Sequence, residues 1–172
     1  MHREKEKVGR RKTNKMPVEK FIESLERARA LLHTADHLTY ITFPFVKEKR
    51  MLLKILEELA SSLISMINAV LQHEYYYKRI QLYRDAKDNF NKFKEIAPRY
   101  NISQREVEKI IEILSLTEKH KKSPLEFVKE DKIVIMADGF KVETLTIEKI
   151  KEFVLLTKEL LKNVTLAVTG RE

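Results

Sequence analysis

Residues 51–77 read MLLKILEELASSLISMINAVLQHEYYY, and this stretch decides the fold. Leu52, Leu56, Leu59, Leu63, Ile67 and Val70 recur every three or four positions, the period of one face of an α-helix. No glycine or proline interrupts the pattern before the Tyr75–Tyr77 run. Its most apolar part, 59–71, is broken by Ser61, Ser62, Ser65 and Asn68, whereas a membrane span needs about 20 predominantly apolar residues. The expectation is a long core helix with others packed along it. No secretory apolar core follows Met1, so the chain is read as cytoplasmic, without membrane association.

Upstream, Pro17 suits the first turn of a helix. Phe21, Ile22, Leu25, Ala28, Leu32 and Ala35 then predict a first helix from about Pro17 towards Thr42, ended by Pro44. Downstream, Ala86, Phe90, Phe93 and Ala97 mark a third helix that stops near Pro98. Ser103 and Glu106 form a capping box, which opens a fourth helix with the stripe Val107, Ile110, Ile111 and Leu114. Ser123, Pro124 and Glu126 repeat that start signal and predict a short helix. From 132 to 145 the period changes to that of strands, and Asp138-Gly139 predicts a tight two-residue hairpin turn. That register places Ile133, Ile135, Ala137, Phe140 and Val142 on one face. Two strands alone are marginal in water, so this face must lie on the helices. Thr146 caps a last helix carrying Ile147, Ile150, Val154, Leu161 and Val164. The fold class expected is mainly α: a multi-helix bundle, one domain over 17–172, with a small β-hairpin in the C-terminal half.

The composition agrees and excludes much else. Of 172 residues, 43% are apolar, enough for a core, and 35% are charged. Three glycines (Gly9, Gly139 and Gly170) cannot form a P-loop or a Rossmann phosphate loop. The absence of cysteine excludes disulfides, thiol catalysis and Cys-ligated metal sites. The net charge is +8, and residues 1–15 hold seven cations against Glu4 and Glu6. Such a segment predicts a disordered basic tail, 1–16, that either attracts a phosphate-bearing partner such as RNA or aids solubility. The many lysines and glutamates fit a thermophile.

Candidate chemistry gathers on Leu32-His33-Thr34-Ala35-Asp36-His37. At 100° per residue, Asp36 falls near the centre of the first helix's apolar stripe, with Arg29, His33 and Tyr40 on the same side. A carboxylate facing a core needs a partner, and Arg29 or a histidine is the nearest. Three roles fit: a buried polar network, a ligand or acid–base pocket, or a metal site through His33, Asp36 and His37. The Glu-x-x-His pattern of di-iron bundles is absent. Glu74 also faces an apolar stripe, but in an antiparallel hairpin it lies on the order of 30 Å from Asp36.

A second group is cationic. Lys47, Lys49 and Arg50 crowd the start of the second helix, where free N–H groups attract anions. Lys78, Arg79 and Arg84 follow the three tyrosines, a combination that stacks bases and neutralises phosphates. Lys119–Lys122 ends the fourth helix, and His120 points away from its stripe, which predicts a solvated basic turn.

Arg27 and His33 match the Arg-x(4–6)-His pattern and in this resemble HEPN-type ribonucleases, which are also helical bundles. That family carries the motif on a later helix, so no catalytic role is transferred. The LHTADH segment (32–37), and HKKSP (120–124) running into DKIVI (131–135), resemble two hallmarks of a family of uncharacterised archaeal helical proteins. The resemblance implies an archaeal, cytoplasmic protein and no particular activity. The function expected is a non-enzymatic binding module for RNA or another phosphate-rich partner, with no cofactor. One alternative is a helical adaptor or homodimer. The other is a nuclease or metal-dependent hydrolase built on His33, Asp36 and His37.

Overall fold

The computed structural model of the chain describes residues 17–170, so the expected basic tail lies outside the described residues. Helix α1 (Pro17–His37) passes into a π-turn over Leu38–Thr42 and ends in one more α-turn, Phe43–Val46. Pro44 therefore does not end the helix, contrary to expectation. Proline has no N–H and its ring crowds the carbonyl four residues back, and the wider π-turn accommodates both defects. The helix stops at Lys47, which is left-handed (φ 53°) and donates its N–H to the Phe43 carbonyl at 2.8 Å.

Helix α2 (Met51–Tyr76) is the long core helix expected from its stripe, with Leu52, Leu56, Leu59, Leu63 and Val70 fully buried. It is long and apolar enough to cross a membrane, and most of its apolar stretch is buried inside the bundle. Burying each such side chain contributes roughly 1.5–3 kcal/mol. It runs antiparallel to α1: Ser62 Oγ donates to the Ala28 carbonyl at 2.8 Å, and Ser24 Oγ to Gln72 at 3.2 Å.

Helix α3 (Ala86–Ile96) starts at Asp85, whose carboxylate accepts from the Lys87 and Asp88 N–H groups, and continues as a 3-10 turn, Ala97–Tyr100. Helix α4 (Gln104–Lys122) opens with the expected Ser103–Glu106 capping box. Helix α5 (Ile147–Thr169) is capped by Thr146, which accepts from the Lys149 N–H. Contacts from His120 to Glu57 and from Tyr100 to Glu74 set α4 antiparallel to α2. Those from Lys158 to Asp36 and from Asn163 to Asn101 return α5 along α1 and α4. The four long helices thus run alternately up and down.

The β element is larger than expected. The predicted short helix at 123–126 is instead strand β1 (Leu125–Lys129), joined to β2 (Lys132–Met136) and β3 (Val142–Leu145) in an antiparallel sheet of order β1-β2-β3. Ser123 does not cap a helix; its Oγ donates to the carbonyls of Leu125 and Met136 and so fastens the edge of the sheet. The β2–β3 turn also differs. Ile133 pairs with Leu145 and Met136 with Val142, one residue out of step with a two-residue Asp138-Gly139 turn. A one-residue slip exchanges the faces of a strand. Leu145 goes inward beside Ile133 and Ile135, while Phe140 and Val142, expected on the covered face, point outward. Glu143 shares the inner side with Leu145 and pairs with Lys119 of α4. The longer loop needs left-handed Gly139 (φ 74°) and Phe140 (φ 62°), strain that the burial of Leu145 offsets.

Candidate functional site

The cluster expected around Asp36 is dispersed. Arg29 is exposed and pairs with Glu26 on its own helix, and neither it nor a histidine is the partner of Asp36. His33, His37 and Tyr40 are exposed as well. Their angular offset from the stripe places them at its rim, where solvent reaches long polar side chains. His37 Nδ1 lies 3.4 Å from Thr42 Oγ1. Asp36 remains 33% exposed and pairs with Lys158 of α5 at 2.6 Å, while Lys151 and Lys158 both lie over the Tyr40 ring. Among the described residues, no group of three His, Cys, Asp or Glu side chains is placed to hold a metal ion.

The cationic candidates separate to opposite ends of α2, whose 26 residues span about 39 Å. At its start, Glu48 accepts from the Arg50 N–H at 3.1 Å, so a carboxylate of the chain already occupies the anion-attracting turn. Lys47 and Arg50 are exposed, and Lys49 covers the Phe43 ring. At the other end, Arg79 belongs to a compact polar site that Lys78 flanks and that also draws in Glu74, Arg99 and Tyr100.

Local sequence explains how that site forms. After Tyr76, α2 closes with two backbone bonds, Lys78 N–H to the Tyr75 carbonyl and Arg79 N–H to the Glu74 carbonyl, around left-handed Lys78 (φ 57°). Glycine is the usual residue in such a cap, and an apolar contact usually joins the two residues that hold the Glu74 and Arg79 positions. Here a buried ion pair replaces that contact. The 3-10 turn ends in the same way around left-handed Asn101, and so presents Arg99 and Tyr100 to Glu74 from α3's side.

Glu74 is 2% exposed and accepts four hydrogen bonds. Arg79 Nε and Nη2 donate at 3.1 and 2.8 Å, Arg99 Nη1 at 2.8 Å and the Tyr100 hydroxyl at 2.9 Å. These fill the acceptor directions of a carboxylate. Burial alone would raise the carboxyl pKa, but the bonds from Arg79, Tyr100 and Arg99 outweigh it and hold Glu74 below the usual range. Burial, reinforced by the Arg79 charge, lowers the pKa of His73, whose Nδ1 lies 2.6 Å from the Tyr100 hydroxyl. A neutral His73 donating from Nδ1 leaves that hydroxyl free to donate its hydrogen bond to Glu74. The Tyr100 phenol is pushed up by burial and by Glu74.

Around this centre the surface is aromatic and cationic. His73 is walled by Phe21, Tyr77 and Tyr100, with ring centroids 5.1–5.9 Å apart. Tyr76 packs on Phe21 and Tyr77, while Arg79 lies 4.9 Å over Tyr77. Tyr75, Tyr76, Tyr77 and Tyr83 stay partly exposed, as do Lys78 and Arg84. An open basin of about 490 Å³ is lined by His73, Glu74, Arg79, Arg99, Tyr100 and Ala167. Phe21 also sits one turn after Pro17, where the described residues begin.

His120, expected in a solvated turn, is a second departure. Its side chain is 15% exposed, and its two ring nitrogens face Glu126 of β1 and Glu57 of α2. Strand β1 creates this contact: Glu126 lies on the sheet face turned towards α4 and meets the imidazole there. Comparison with known protein families, with curated proteins and with solved structures finds no match to this chain.

Proposed function

We propose that the protein is a non-enzymatic binding module for RNA, and that the tyrosine–arginine end of the bundle is its folded contact surface. The observation that carries this reading is the arginine pair. Arg79 and Arg99 are held by one buried carboxylate through three N–H groups, which fixes both guanidiniums and leaves the remaining N–H groups for a ligand at the basin. Fixed guanidiniums recognise phosphate oxygens in fork geometry. The exposed tyrosines beside them offer faces on which unpaired bases stack, each contributing about 1–3 kcal/mol. Such a surface favours single strands, whose bases are free to leave the stack.

Fluorescence anisotropy of a labelled single-stranded oligoribonucleotide with the full chain tests this reading. Binding should weaken steeply as salt rises, because phosphate contacts release counterions. Arg99→Ala should lower affinity about tenfold and flatten the salt dependence, whereas Tyr77→Ala should lower affinity and leave the salt slope in place. Affinity that neither substitution changes would move the contact from the folded end to the basic segment. No salt-dependent binding at all would end the reading.

A further inference from the structure

Arg79 and Arg99 meet on a single atom. Arg79 Nε donates to Glu74 Oε2 at 3.1 Å and Arg99 Nη1 to the same oxygen at 2.8 Å, so these two nitrogens lie within about 6 Å of each other. A second bond, from Arg79 Nη2 to Oε1 at 2.8 Å, fixes the plane of that guanidinium. Of the five N–H donors on each guanidinium, Glu74 takes two from Arg79 and one from Arg99. The others stay free. Both side chains are about half exposed and both line the same basin. Its walls come from three elements: His73 and Glu74 of α2 with Arg79 just past its end, Arg99 and Tyr100 of the 3-10 turn, and Ala167 of α5. A volume of about 490 Å³ lies within the usual span of small-ligand pockets, about 300–1,000 Å³.

We infer that this basin takes the terminal phosphate of a single-stranded RNA, a phosphomonoester, in preference to an internal phosphodiester. Such end recognition rests on RNA binding as proposed above and narrows it to a chain end. Shape, donor number and charge all favour an end. An internal phosphate reaches a walled basin only by looping both arms of the strand out over the rim, whereas a terminal one enters with a single arm. A phosphomonoester presents three free oxygens to the two guanidiniums, and an internal phosphodiester only two. Arg79, Arg99 and the adjoining Lys78 against Glu74 leave a charge of +2, since the lowered pKa of His73 keeps that imidazole neutral near pH 7. A phosphomonoester carries about −1.5 to −2 at that pH and matches it, while a phosphodiester cancels only half. The exposed Tyr75, Tyr76 and Tyr77 at the end of α2 then offer faces to the bases that follow the end nucleotide.

Fluorescence anisotropy with the full chain tests this, using internally labelled oligoribonucleotides of one sequence. One carries a 5′-phosphate, one a 3′-phosphate and one hydroxyls at both ends. A phosphate at one end should tighten binding about tenfold or more over the hydroxyl-ended strand, and which end gains identifies the end that is read. Arg99→Lys keeps the positive charge beside Glu74 but lacks the fork. It should bind the hydroxyl-ended strand within about threefold of wild type and lose most of the preference for the phosphorylated end. Arg79→Lys gives the same reading if circular dichroism shows that the first variant does not fold. Salt-dependent binding with equal affinity for all three strands overturns end recognition and leaves RNA binding standing. No salt-dependent binding to any strand removes both. A preference for a phosphorylated end that survives both arginine substitutions places the phosphate outside this basin and also overturns the assignment.

Discussion

Asp36 on α1 and Glu74 on α2 are both carboxylates set into the apolar stripe of their helices, at opposite ends of one antiparallel pair. Asp36 is one-third exposed and meets a single flexible lysine from α5. Glu74 is sealed, and donors reach it from the cap of its own helix (Arg79) and from the 3-10 turn (Arg99 and Tyr100). A carboxylate that keeps some water can manage with one exposed partner, whereas one without water needs every acceptor direction filled. Position on a helical wheel is the same for both; what differs is how many other chain segments end beside them. Polar sites of consequence in this bundle form where several helix termini converge, and not along the helix shafts.

The largest expected effect comes from breaking the ion pairs at each site. Arg79→Ala combined with Arg99→Ala strands a buried charge and should cost about 3–5 kcal/mol in chemical denaturation. Asp36→Ala, which removes a single partly exposed pair, should cost less, about 1 kcal/mol. Equal losses at the two sites would erase the distinction between them.

Much of this bundle was legible in residue spacing. The stripe of α2, the Ser103–Glu106 box and the Thr146 cap are local signals, and each appears where its residues predict. Strand β1 was not legible, because Ser123-Pro124 imitates a helix start and its pairing with β2 is a tertiary choice. The turn at Asp138-Gly139 promised a two-residue hairpin, yet the inward fit of Leu145 set the register instead. The candidate site was half legible. Glu74 is visible as a charge in an apolar stripe, and Arg79 follows it past the helix end. Arg99 and Tyr100 carry no signal of their own, since a loop and a short helix bring them back. Asp36 lies on the apolar stripe with histidines around it in sequence, but His33 and His37 are exposed.

Acid titration sharpens the same comparison with a smaller effect. The lowered pKa of Glu74 means that its stabilisation is complete above the unfolded carboxylate value of about 4.3 and disappears as pH falls through the folded value. The lowered pKa of His73 means that the unfolded chain takes up a proton near pH 6.5 while the folded imidazole does not. Stability should therefore begin to fall below about pH 6.5, and fall again below about pH 4.5. Thermal melts across pH 3–8 should show His73→Gln without the first decline and Glu74→Gln without the second. If both variants keep the wild-type profile, other groups govern acid unfolding and the sealed site has no special place in it.

The smallest effect expected is a gain. Lys78 holds a left-handed conformation at the cap of α2, where glycine is usual and where the strain on other residues is about 1–2 kcal/mol. Glycine at this position loses roughly 0.5–1 kcal/mol more backbone entropy on folding, so Lys78→Gly should stabilise by up to about 1 kcal/mol. That corresponds to a rise of about 2–4 °C in Tm. A strained lysine beside the arginine pair is the kind of residue a binding site keeps at the expense of stability. Lys78→Gly should thus bind single-stranded RNA several-fold more weakly while melting higher, and its salt slope should fall by about one unit. Lys78→Asn, which tolerates the left-handed region, should show the same opposition in milder form. Higher stability with unchanged affinity would reduce Lys78 to an unoptimised cap, and leave Arg79 and Arg99 as the contacts that distinguish this end of the bundle from the Asp36 end.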